Sequence, residues 1–134
     1  MQKNKYFIDS NIFFYAKIGD RKYGECSKKV IRKIYEGEAE GHVDVLVLLE
    51  VANALSKFHM KREEITREIT AIISLPINIV DVSKEDIVES SEIDLKPYDA
   101  LHYYVSRKID ARIISADSDF DKFGRVDPCE IDKI

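Results

Sequence analysis

Apolar positions along the chain come in short runs separated by stretches with helical spacing. Tyr6-Phe7-Ile8 reads as a short strand that stops at Asp9-Ser10-Asn11, residue types that cap helices, and the apolar Ile12-Phe13-Phe14-Tyr15-Ala16 follows. A second helix fits Gly24 to Glu36, with Ile31, Ile34 and Tyr35 as its apolar stripe and Gly37 as its stop. Val43 to Val47 reads as a buried strand running into a helix that carries Leu48, Leu49, Val51, Ala52, Leu55 and Phe58. Arg62 to Leu75 is amphipathic and ends before Pro76, and Ile77 to Val82 is strand-like. Ser83 and Asp86 occupy the positions of a capping box, with Asp in place of the usual Glu. Pro97 suits the first turn of a helix reaching about Lys108. Arg112 to Ser115 is a strand, and a short helix follows near Ser118 to Phe123. Strands alternating with helices predict an α/β fold with a parallel sheet.

The chain has 134 residues, which fits one domain spanning 1–134. The formal net charge is -4, whereas a nucleic-acid binder relying on bulk electrostatics is usually basic. A nucleic-acid substrate would therefore need a local basic patch or bound cations. Cys26 and Cys129 form no CxxC or Cys/His spacing, so they are expected as small buried side chains or free thiols in a reducing cytoplasm. The start MQKNKYFIDSN lacks the apolar segment of a signal peptide, and no apolar run approaches the ~20 residues that cross a bilayer. A cytoplasmic protein without membrane association is expected. Gln2 is the only glutamine, while Lys, Glu and Ile are abundant, a composition that points to a thermophile.

The acids worth attention sit where surface residues should not. Asp9 and Asp117 each follow an apolar run at the carboxyl end of a predicted strand. Glu50 is embedded in Val45-Leu46-Val47-Leu48-Leu49-Glu50-Val51-Ala52, where a charge is expensive unless paired. Asp99 lies in a first helical turn, behind Pro97. Each also has an ordinary explanation: Asp9 and Asp117 as helix caps, Asp99 at a positive helix end, Glu50 paired with a buried Lys or Arg. Taken together they fall on one edge of the sheet, outside the carboxyl ends of its strands, where α/β folds bind ligands. Converging carboxylates repel one another unless a cation neutralises them, and a hard divalent ion with oxygen ligands does so. Mg²⁺ or Mn²⁺ is the expected cofactor; no Cys/His set favours zinc.

Phe7-Ile8-Asp9-Ser10-Asn11, Leu49-Glu50-Val51, Tyr98-Asp99-Ala100-Leu101-His102 and Ile114-Ser115-Ala116-Asp117-Ser118-Asp119-Phe120 together resemble the PIN-domain nucleases, especially the short VapC toxins. The resemblance spans nearly the whole chain. It implies a PIN-like three-layer α/β/α arrangement with a parallel sheet of about five strands. It also implies cleavage of single-stranded RNA with Mg²⁺ or Mn²⁺ held by Asp9, Glu50, Asp99 and Asp117. Asp119 and Asp121 fall where some members carry a further acid. Ser10, Asn11 and Ser115 match small polar positions that orient ligands.

The chemistry expected is in-line attack on a phosphodiester by water activated at the cation, with Asp9 as the best bridging ligand. Glu50 would be a ligand, or a general base acting through water. Lys17, Arg21 and Lys22 are candidates to meet RNA phosphates. His102, three residues after Asp99, is placed to hydrogen-bond it and receives no other role. Partners expected are single-stranded or structured RNA, a small antitoxin protein and a second copy of the chain. Three other roles stay open at this level: a housekeeping RNA-processing nuclease, a non-catalytic binding module on the same scaffold, and a phosphotransfer enzyme using Asp117 and Asp119.

Overall fold

Strand β1 (Lys5–Ile8) runs through the middle of the sheet. Its Phe7 and Ile8 are wholly buried, as an apolar run without alternation requires when both faces of a sheet are covered. The computed structural model describes residues 4–133, so residues 1–3 and 134 of the expected domain lie outside the described residues. Strands β2 (Glu40–Asp44) and β4 (Arg112–Ile114) pair with β1 in parallel, one on each side, and β3 (Ile77–Val80) pairs in parallel with β2. The order β3-β2-β1-β4 makes a four-stranded sheet where about five strands were expected. Among the described residues beyond β4, the chain contributes only an isolated bridge between Ile114 and Val126.

The sheet is flanked by α1 (Ser10–Ile18), α2 (Gly24–Tyr35), α3 (Val45–Lys57), α4 (Arg62–Ile73), α5 (Lys84–Ser90) and α6 (Pro97–Lys108). Two 3₁₀ segments, Ser118–Phe123 and Pro128–Lys133, follow β4. The core joins Phe7, Ile8 and Ile114 of the sheet to Ile12 and Phe13 of α1, Val47, Val51 and Leu55 of α3, and Phe120. Gly19 ends α1 in the left-handed region, φ 68°, with its N–H returned to the carbonyl of Tyr15. At Ser83 both bonds of the capping box form, at 3.0 and 3.1 Å.

Two expectations need correcting. The strand placed over 43–47 ends at Asp44, whose side chain accepts the N–H of Val47 and so starts α3 three residues early. Cys26 on α2 and Cys129 in the last 3₁₀ segment are not free thiols but a disulfide, closing a sequence separation of 103. No helix among the described residues is long and apolar enough to cross a membrane.

The strand order positions the site. The chain passes from β1 outward through β2 and β3, then returns to place β4 on the other side of β1. Loops leaving the carboxyl ends of β1 and β4 therefore diverge and open a crevice. Asp9 follows β1 there, and Ser115 to Asp117 follow β4.

Candidate active site

Asp9 stands at the head of the crevice, its N–H bonded to the carbonyl of Ile114 at 3.0 Å, so the β1–β4 ladder continues into the site. Its carboxylate caps α1. Oδ1 accepts the N–H of Ser10 at 2.8 Å, and Oδ2 accepts the Ser115 hydroxyl at 2.7 Å and the Asn11 amide at 3.4 Å. Ser115 Oγ accepts from Asn11 Nδ2 at 3.1 Å and from the N–H of Asp117 at 3.0 Å. Asn11 Oδ1 accepts the N–H of Ala116 at 3.2 Å. Asn11 and Ser115 thus lock the two loops together around Asp9, while Ser10 contributes its backbone N–H.

The remaining acids come from three other elements. Glu50 projects from the second turn of α3, Asp99 from the first turn of α6, and Asp117 and Asp119 from the start of the first 3₁₀ segment. Ligand atoms of Asp99, Asp117 and Asp119 lie within 4.8 Å of one another, and so do those of Asp9, Glu50 and His102. Asp9 is almost completely buried, and that burial pushes its pKa up against the hydrogen bonds and His102, which pull it down. Burial likewise raises Asp99, to about 6, and the nearby charges of Asp9 and Asp117 add to the rise. Asp99 is thus raised despite sitting at the positive end of a helix. An all-oxygen donor set under this much mutual repulsion suits a hard divalent cation.

Not every expected residue joins the cluster. Asp121 is turned to Arg125, whose Nε donates to it at 2.6 Å, and Arg125 also donates to the carbonyl of Ser115 at 3.0 Å. Lys17 is paired with Glu68 at 3.4 Å. Arg21 is exposed, and Lys22 lies 5.1 Å over the ring of Tyr23.

The family model of the PIN domain matches residues 6–126. The chain belongs to the PIN domain family. Solved structures share its fold at low identity. A VapC toxin of Mycobacterium tuberculosis that cleaves the sarcin-ricin loop superposes with a TM-score of 0.75 at 16% identity, covering 90% of this chain and 96% of that one. A VapBC complex of Rickettsia felis bound to a promoter DNA fragment gives 0.65 at 17% identity, covering 88% of this chain and 92% of that one. A toxin–antitoxin complex of Klebsiella pneumoniae gives 0.63 at 23% identity, covering 92% and 97%. No curated relative matches the sequence.

Within this PIN domain, two site residues escape sequence reasoning. His102 does not turn to Asp99. It is wholly buried, with Nδ1 2.7 Å from Asp44 Oδ2 and Nε2 hydrogen-bonded to Glu50 Oε1. Burial disfavours its charged form, but bonds to the two carboxylates outweigh that and hold its pKa at about 10. Glu50 is therefore paired with a buried histidine, where a Lys or Arg was the alternative expected. Asp44, also wholly buried, is an acid between Val43 and Val45, inside the run read as a strand, and nothing local marks it as a site residue. On the crevice rim, Tyr15 is raised first by its own burial and then by Asp20, Tyr23, Asp117 and Asp9, and its ring stacks on Tyr23 at 5.7 Å.

Proposed function

We propose that this PIN domain is a divalent-metal-dependent endoribonuclease of the VapC toxin type. The observation that carries the proposal is the gathering of Asp9, Glu50, Asp99, Asp117 and Asp119, from four separate segments, at the crevice between β1 and β4. Asp9, Asp99 and Asp117 would hold Mg²⁺ or Mn²⁺, with Glu50 as ligand or general base through water, and the exposed Asp119 sharing the outer position. Asp121, engaged by Arg125, takes the least part. The bound ion supplies Lewis acidity, activating water and offsetting charge on the phosphoryl oxygens. Asn11 and Ser115 keep Asp9 in a single orientation, and the N–H of Asp119 bonded to Asp117 Oδ1 at 2.9 Å does the same for Asp117.

The substrate in this proposal is RNA in its single-stranded parts, drawn in by the ion rather than by the -4 net charge. Arg21 and Lys22 remain candidates for phosphate contact; Lys17 must first release Glu68. The direct test is a labelled single-stranded RNA incubated with Mn²⁺ or with chelator, alongside calorimetry of Mn²⁺ binding. Internal cleavage with Mn²⁺ and none with chelator is expected. Mn²⁺ binding without any cleavage would reduce the protein to a binding module.

The toxin role implies a small antitoxin and a second copy of the chain. Ile87 and Tyr98 are half-exposed apolar residues beside Leu46, Leu95 and Leu101, on a groove between α3, α5 and α6. An apolar surface of this kind supports a protein partner, here assigned to the second copy. Ile87→Asp is expected to halve the mass measured by light scattering; a wild type already monomeric at micromolar concentration contradicts the assignment. Growth arrest on expression, relieved by an adjacent antitoxin gene, separates a toxin from a housekeeping nuclease. The proposed toxin role implies a cytoplasmic location. A disulfide is stable there chiefly in hyperthermophiles, in agreement with the glutamine-poor, Lys- and Glu-rich composition.

A further inference from the structure

Asp44 sits wholly buried at the N-terminus of α3, and its two carboxylate oxygens have different partners. Oδ1 accepts the N–H of Val47 at 3.0 Å, and Oδ2 accepts Nδ1–H of His102 at 2.7 Å. The other ring nitrogen of His102 donates to Oε1 of Glu50, on the helix that Asp44 caps. Phe7 packs against the ring with centroids 5.5 Å apart, so the imidazole is held by packing as well as at both nitrogens.

We propose that Asp44 and His102 are positioning residues for the metal site. They hold the carboxylate of Glu50 in one orientation, with Oε1 occupied by the ring and the second oxygen left for the cation. This rests on the metal-dependent function proposed above. The physical reason is preorganisation. A glutamate on a helix surface has three rotatable bonds, and a ligand that is already ordered does not have to be ordered when the ion arrives. Asp44 ties that order to the start of α3 itself, because one carboxylate both caps the helix and orients the ring. Neither residue need touch the ion.

A structural role alone makes a different prediction, so a double-mutant cycle decides between them. Asn caps helices well, but its single carbonyl oxygen can serve only one of the two donors that Asp44 serves. Mn²⁺ affinity and melting temperature would be measured for the wild type, Asp44→Asn, Glu50→Gln and the double variant. Asp44→Asn is expected to weaken Mn²⁺ binding about tenfold or more, the usual scale for groups that orient metal ligands. With Glu50→Gln already present, Asp44→Asn should change Mn²⁺ binding by less than about twofold, while still lowering the melting temperature. If Asp44→Asn weakens binding by its full factor in the Glu50→Gln background, it does not act through Glu50 and the proposal is overturned. His102→Asn, which keeps a donor toward Asp44 and drops the contact to Glu50, should reproduce the metal loss. The same cycle run with it serves if Asp44→Asn does not fold. Wild-type affinity in His102→Asn overturns the proposal. A wild type that binds no Mn²⁺ refutes the metal-dependent function itself, a result distinct from an additive cycle.

Discussion

Asp99→Asn is expected to lower Mn²⁺-dependent RNA cleavage by about 10³-fold while leaving the fold intact. A catalytic cation contributes several kcal/mol of charge stabilisation, and each 1.36 kcal/mol is tenfold in rate, so losing an anionic ligand from a small acid set has an effect of this order. Asn preserves the shape of the side chain at the first turn of α6, so neither Pro97 nor the packing of Leu101 is disturbed. The second signature is in stability. Asp99 titrates at about 6 in the folded, metal-free protein and at 3.8 when unperturbed. Between those values the folded state keeps a proton that the unfolded chain has released. Stability therefore falls as pH rises through this window, and the deficit persists at neutral pH. Asp99→Asn removes that titration. Thermal melts in chelator should show the variant changing less than the wild type between pH 4 and pH 7, and being the more stable of the two at pH 7. Adding Mn²⁺ should reverse the order, because only the wild type gains fully from the ion. Cleavage by Asp99→Asn at the wild-type rate would remove Asp99 from the site.

What could be read from the sequence was whatever a local pattern encodes. Asp9 was legible because an apolar strand ends on it and a capped helix begins. The same logic placed Asp117 after β4 and Asp99 behind Pro97. The capping box of Ser83 and Asp86 formed as its spacing requires. Asp44 was missed because β2 and α3 abut without a polar break. Read as mid-strand in 43–47 it has no function, whereas one residue past Val43 it becomes the cap and the anchor of His102. His102 carries no legible role for a complementary reason. Helical spacing offered Asp99 as its neighbour, but its real partners are 58 and 52 positions away, and only the packing of α6 against the α3 side selects them. The parallel α/β sheet formed as expected, with four strands against the approximate five, and Val126 adds a single bridge to Ile114 before the chain turns into a 3₁₀ segment.

The cysteines lay furthest beyond local pattern, and they carry the other large effect. Replacing Cys26 with Ser, or reducing the bond with dithiothreitol, is expected to lower stability by about 2–4 kcal/mol. At roughly 3–4 °C per kcal/mol for a domain of this size, the midpoint should fall by roughly 10 °C. The estimate follows from topology. The bridge spans 103 positions, so cutting it releases nearly the whole unfolded chain from a closed loop, the case in which a cross-link restricts the unfolded ensemble most. Little else compensates. The last 3₁₀ segment also holds to α2 through Asp132, bonded to Lys29 and, at 2.9 Å, to Lys33, but these are solvent-screened surface ion pairs that contribute little. Ile131 is buried yet lies at the edge of the core, so the segment should fray once untied. None of the clustered acids belongs to it. Cleavage measured well below the new midpoint should therefore stay close to wild type, while the activity half-life at high temperature shortens. Calorimetric scans with and without dithiothreitol make the comparison directly, and superimposable scans would mean that the cross-link contributes nothing to stability.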